Sequence, residues 1–186
     1  MAAIHLICGF MGFGKTTLAK KLEEELPAVR FTHDDFMREL YSRNLPDDQF
    51  RVAYKRIDNL IWQLAEKCIK AGANVILDYG FWSKNVRKKV NKRAKEITPD
   101  VVFHNVNCDA ETAKKRVLNR TENDDKSLLI DENCFDIFWV TFEPVEENEE
   151  LYVINHDGKT LIPEQPIIEE KTIKKSEEST NISHNK

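Results

Sequence analysis

Gly9-Phe10-Met11-Gly12-Phe13-Gly14-Lys15-Thr16-Thr17 follows the apolar run Ala3 to Cys8 and opens a segment, Lys15 to Leu26, with Leu18, Ala19, Leu22 and Leu26 at helical spacing. The stretch fits G-x-x-x-x-G-K-[ST], and strand, glycine loop and helix are the context that gives the pattern mechanical meaning. Glycines let successive backbone N–H groups turn inward around phosphate oxygens, and the start of the helix adds a partial positive charge. On this reading Gly12, Phe13, Gly14, Lys15, Thr16 and Thr17 cradle a nucleoside triphosphate. Lys15 reaches its outer phosphates and the Thr16 hydroxyl holds Mg²⁺. A glycine-rich turn without a ligand is the bland alternative.

Working outward, the chain alternates short apolar runs with helical periodicity. Strands are expected at Val29–Thr32, Asn74–Leu77, Val101–Val106 and Leu151–Asn155, the last followed by a His156-Asp157-Gly158 turn. Helices are expected over 34–41, 47–71, 84–97, 109–120 and 131–140; Pro27 and Gly72 stop two of the helical segments. Continuous apolar strands between helices indicate a three-layer α/β fold, a five-stranded and mostly parallel sheet with helices on both faces. Right-handed crossovers place the carboxyl ends of the strands on one edge, where ligands bind such sheets. Functional residues are therefore sought just after each strand.

After the second strand stands Thr32-His33-Asp34-Asp35. Asp34 is placed either to accept the proton of an acceptor hydroxyl or to cap the helix that follows. His33 reads as a surface or loop residue. After the third strand stands Asp78, a candidate to hold Mg²⁺ or its water shell, or else a turn aspartate. Tyr79, Phe81 and Trp82 beside it suit an acceptor pocket or simple packing. Arg116 and Arg120 lie one turn apart on the next helix, where they either neutralise a transferring phosphoryl group or sit in solvent. The polar stretch after them suits a small lid, about residues 116–130. Ser83 reads as the N-cap of a basic helix with Lys84, Arg87, Lys88, Lys89, Lys92, Arg93 and Lys95; Val86, Val90, Ala94 and Ile97 form its apolar stripe. Its charges read as a solvated face, with nucleic-acid binding as the alternative.

The chain has 186 residues, 41% hydrophobic and 32% charged, enough for one domain with a real core. A formal charge of -4 provides no global basic field for nucleic acid or membrane, and no apolar stretch approaches bilayer length. Four separated cysteines form no metal-type pair, which points to a reduced, cytoplasmic setting. The domain is expected to span 1–162. From 163 to 186 the sequence is polar and poor in aromatic residues, and is expected to be a flexible tail.

Together, Gly9 to Thr17, Thr32 to Met37, Val75 to Trp82, and Lys115-Arg116 with Asn119-Arg120 resemble P-loop kinases of the polynucleotide-kinase, zeta-toxin and chloramphenicol-phosphotransferase-like group. The likeness is strongest to uncharacterised AAA-type ATP-binding proteins, which share a phrase like Leu77-Asp78-Tyr79-Gly80-Phe81-Trp82-Ser83 and a late Phe142-Glu143-Pro144 segment. The resemblance implies the P-loop NTPase fold, ATP as donor, Asp34 as acceptor base, Arg120 as the lid arginine and Arg116 in support. It departs at Met37, where the polynucleotide kinases carry an arginine; Arg38 is one residue further on. That departure weakens the nucleic-acid reading.

The expected activity is therefore ATP-dependent phosphoryl transfer to a small-molecule hydroxyl, with Lys15, Asp34, Arg116 and Arg120 catalytic. A nucleic-acid 5′-hydroxyl kinase and a nucleotide-binding protein without transfer are the alternatives. The guanine-reading Asn-Lys-x-Asp sequence is absent, and Asp78-Tyr79-Gly80 is one residue short of a D-x-x-G switch.

Overall fold

The computed structural model describes residues 1–41, 45–123 and 130–161. Its elements run β1 (Ile4–Cys8), α1 (Lys15–Glu25), β2 (Ala28–Phe31), α2 (His33–Leu40), α3 (Asp47–Lys70), β3 (Asn74–Gly80), α4 (Lys84–Lys95), β4 (Val101–Asn107), α5 (Ala110–Asn123), α6 (Glu132–Trp139), a 3₁₀ turn at Glu147–Glu149, β5 (Val153–Asp157) and α7 (Gly158–Leu161). The five strands pair only in parallel among the described residues, in the order β2-β3-β1-β4-β5. β1 is central. The chain leaves it toward β3 and β2 on one side and returns to β4 and β5 on the other, so the loop after β1 opens at the point where the winding reverses.

Each face of the sheet carries its own core. On one, Ile4, Leu6, Val75, Leu77 and Phe103 pack against Ile57, Ile61, Trp62 and Ala65 of α3 and Val90 and Ala94 of α4. On the other, Ile7, Ile76 and Val106 meet Leu18 and Ala19 of α1, Ala113 and Val117 of α5, and Phe135 of α6. Alternate strand residues therefore supply opposite cores, and their continuous apolar character follows from burial on both sides. Truncating a fully buried side chain such as Ile61 to Ala would cost about 2–5 kcal/mol.

Several boundaries differ from the sequence expectation. β3 runs on through Asp78 to Gly80, because its pairing with β1 continues through a register shift at Ile7/Cys8. Asp78 thus lies within the strand, beside Ile7, rather than directly after it. β5 is Val153–Asp157, two residues later than expected, and Gly158 starts α7 where a turn was expected. This edge strand is mostly polar, so its extent is set by pairing with β4 rather than by hydrophobicity. Ser83 does cap α4, accepting from the Val86 N–H at 3.3 Å. Val86 itself is exposed, and Arg87, expected on the solvated face, is completely buried. The 163–186 tail and residues 124–129 of the expected lid lie outside the described residues.

Candidate active site

The carboxyl edges of β1, β2 and β3 and the inner face of α5 surround one cavity of about 630 Å³. Its floor is the glycine loop. Gly12 has φ 78°, and a Cβ there would stand 2.4 Å from the Ala113 carbonyl oxygen of α5. Gly14 (φ 97°) precedes α1 without any side-chain cap, so the first N–H groups of that helix are left for a ligand or water. Phe10 and Phe13 point the other way and are buried. Phe10 is ringed by Trp82, Phe135, Trp139 and Phe142 at centroid distances of 4.9–5.4 Å, which anchors the loop from beneath.

Lys15 lines the cavity, and its ammonium donates to the Phe10 carbonyl at 2.8 Å. Burial pushes its pKa down; Asp78 opposes that shift, Arg120 adds to it, and Asp34 again opposes it. Lys15, Asp78, Arg120 and Asp34 therefore share one electrostatic environment. Asp78 is buried, which pushes its carboxyl pKa up, while Lys15 and a hydrogen bond from the Thr16 hydroxyl pull it back. A buried carboxylate touching a loop hydroxyl gains from an added cation. Among the described residues no three His, Cys, Asp or Glu side chains cluster as a self-sufficient metal site.

Asp34 sits in the first turn of α2, exposed at the cavity wall. The capping alternative falls to its neighbour: the Thr32 hydroxyl accepts from the Asp34 N–H at 3.3 Å. Arg120 also lines the cavity. Arg116 does so too, but its guanidinium donates to the backbone carbonyls of Gly12 (3.3 Å) and Gly158 (2.9 Å), bracing the loop against α7. Arg38 pairs with Asp35 at the exposed surface and is not among the cavity residues.

Two features of the site were not read from the sequence. His33 is buried, its ring stacked on Tyr54 at 3.9 Å and 13° and tilted against Tyr79 at 4.0 Å. Asp58 of α3 lies 3.5 Å from its Nε2 and also takes Arg93 at 3.0 Å. Burial and Asp58 push the Tyr54 phenol up to about 12. The second feature is Arg87, whose five N–H donors meet both Glu149 carboxylate oxygens and the carbonyls of Phe81, Glu143 and Pro144 at 2.6–3.1 Å. Phe81 adopts φ +46°, and this clamp holds the bend that delivers Trp82 to the cavity. Aromatics directly after β3 and an arginine a turn into α4 were the available signals. Their partners lie too far along the chain for local spacing to show.

A family model described as an AAA domain matches residues 4–145, which takes in the glycine loop, Asp34, Asp78 and both α5 arginines. The chain belongs to the AAA domain family. The fold of this AAA domain recurs in solved structures. A sugar kinase from Janibacter sp. HTCC2649 is 18% identical, with a TM-score of 0.57, over 87% of this chain and 90% of its own. Chaetomium thermophilum Kti12, in complex with ADP-AlF3, is 16% identical, with a TM-score of 0.59, over 82% and 88%. A chain of the Pnkp1/Rnl/Hen1 RNA repair complex is 19% identical, with a TM-score of 0.62, over 75% of this chain and 43% of its own. No curated protein sequence matches the chain. The family match and the shared fold make this chain an α/β domain of P-loop architecture. No helix among the described residues is long and apolar enough to cross a membrane.

Proposed function

We propose that this AAA domain is an ATP-dependent phosphotransferase that moves the γ-phosphoryl group to a hydroxyl of a small molecule. One observation carries the reading: Lys15 at the start of α1, Asp78 in β3 and Asp34 in the first turn of α2 line a single cavity. A binding protein needs the lysine. An exposed carboxylate lining the same cavity as that lysine is placed to take a proton from an acceptor hydroxyl. On this reading Lys15 steadies the outer phosphates, Arg120 neutralises charge that builds on the transferring group, and Asp34 accepts the acceptor's hydroxyl proton. Arg116 holds the loop in shape rather than touching phosphate. Thr16 and Asp78 would hold Mg²⁺, which when bound offsets phosphate charge. Catalysis then rests on positioning and electrostatics, with no covalent intermediate.

The nucleic-acid alternative leaned on α4. Three of its seven cations, both arginines among them, are matched by acids of the same chain, Lys84 by Glu146, Arg87 by Glu149 and Arg93 by Asp58, while Lys88, Lys89, Lys92 and Lys95 are exposed. That pairing favours the small-molecule reading. Asp34→Asn is expected to abolish transfer while ATP affinity, measured by calorimetry, stays within about threefold. Equal loss of both would remove Asp34 from the role of base.

A further inference from the structure

The two ends of the cavity differ in chemistry. Among the described residues its cations, Lys15, Arg116 and Arg120, all belong to the glycine loop and α5. Beyond Asp34 the wall is made of rings. Tyr54 and Tyr79 flank His33, and Trp82 stands over Phe10 at 4.9 Å. Tyr54 is 40% exposed although it lines the cavity, and Phe50 extends its stack at 6.1 Å. Asp34 and Tyr54 are electrostatic neighbours, so an anion entering here meets a carboxylate.

Three nearby arginines are already engaged. Arg30 donates to Glu23 and Asp35, and Arg38 to Asp35. Arg93 donates to Asp58 while lying 4.6 Å over the Trp62 ring. Recognition of a phosphate ester calls for charge-assisted donors, best from arginine. Exposed aromatic rings and an acid instead suit a flat, uncharged ring that stacks and presents a hydroxyl.

Resting on the phosphotransferase reading above, we propose that the acceptor is an uncharged aromatic or heteroaromatic alcohol without a phosphate group, its ring stacked on the Tyr54 side of the cavity and its hydroxyl directed to Asp34. Transfer breaks the bond between the γ-phosphorus and the β,γ-bridging oxygen and forms one to the acceptor oxygen. ADP leaves, and the hydroxyl proton passes to Asp34.

The test uses the full chain, Mg²⁺ and γ-labelled ATP with matched acceptors. Adenosine is compared with adenosine 3′-phosphate, which keeps the ring and 5′-hydroxyl but adds a phosphate. Tyrosol is compared with 4-(2-hydroxyethyl)cyclohexanol, which loses only the aromaticity of the ring, and both series with glucose and a 5′-hydroxyl oligonucleotide. The expected result is kcat/KM at least about tenfold higher for adenosine and tyrosol than for their partners. Tyr54→Ala should raise their KM about tenfold, Tyr54→Phe should restore it, and neither should change ATP affinity measured by calorimetry. Preference for the phosphorylated, saturated, sugar or oligonucleotide acceptor overturns the proposal and leaves the kinase reading standing. Bound ATP with no acceptor labelled overturns the proposal too, and favours nucleotide binding without transfer. Failure to bind ATP at all overturns the underlying reading instead.

Discussion

Arg87→Ala should be among the most damaging single changes outside the glycine loop. The side chain is 0% exposed and its partner Glu149 3%. Burial works to raise the Glu149 carboxyl, but Arg87, the Glu146 N–H and Lys84 together outweigh it and hold the group below the usual carboxylate range. Removing the guanidinium leaves a buried carboxylate and three carbonyls, of Phe81, Glu143 and Pro144, without their donor. Breaking a buried pair from one side costs about 3–5 kcal/mol. For a chain of this size that is a fall in Tm of roughly 10 °C. Urea denaturation followed by circular dichroism reads the cost directly. The double variant Arg87→Met with Glu149→Met should recover part of the loss, because it removes both charges together. A single-variant cost below about 1 kcal/mol would refute the clamp, since exposed pairs give that much.

Three further outcomes follow from other parts of the molecule. His5, His104 and His156 form a ladder of ring-nitrogen hydrogen bonds at 2.9 and 3.0 Å across β1, β4 and β5. Burial holds all three pKa values down, His104 to about 3, and Lys21 adds to the lowering at His156. An unfolded histidine binds protons near 6.5, so this stability is fully present above that pH and drains as pH falls. His104 alone should give a slope approaching 1.4 kcal/mol per pH unit between 6 and 5, reduced in His104→Gln; equal stability at pH 6.5 and 5 would exclude the ladder. Gly12→Ala puts a Cβ 2.4 Å from the Ala113 carbonyl oxygen at φ 78°, so ATP affinity should drop at least about tenfold in calorimetry. Thr32→Val removes the cap of α2 and should cost about 1 kcal/mol in urea titration, with the Asp34 turn loosened.

The parts of the fold legible in the sequence are those whose cause is local. The run from Ala3 to Thr17 carries its own strand, glycines and helix start, and 47–71 carries its own periodicity. Ser83 announces its cap three residues ahead of the N–H it accepts. What stayed hidden is tertiary. His33 looks like a polar loop residue until Tyr54 of α3 and Tyr79 of β3 close over it. Arg87 sits in a run of basic residues, and its carboxylate lies 62 positions away. β5 reads weakly because Val153-Ile154-Asn155-His156-Asp157 owes its pairing to partners on β4, with Asn105 donating to Asn155 at 2.9 Å and His104 meeting His156. Arg116 and Arg120 share a helix face in the sequence, yet only the folded chain separates a brace on Gly12 from a side chain near the lysine.

On the proposed function, Lys15 and the loop around it hold the phosphates of a nucleoside triphosphate. Titrating ATP with Mg²⁺ into the full chain by calorimetry tests it most directly. One site per chain is expected, with at least about a hundredfold loss of affinity in Lys15→Ala, whose thermal unfolding stays cooperative. Equal affinity in the variant, or no heat of binding to the native chain, would contradict it.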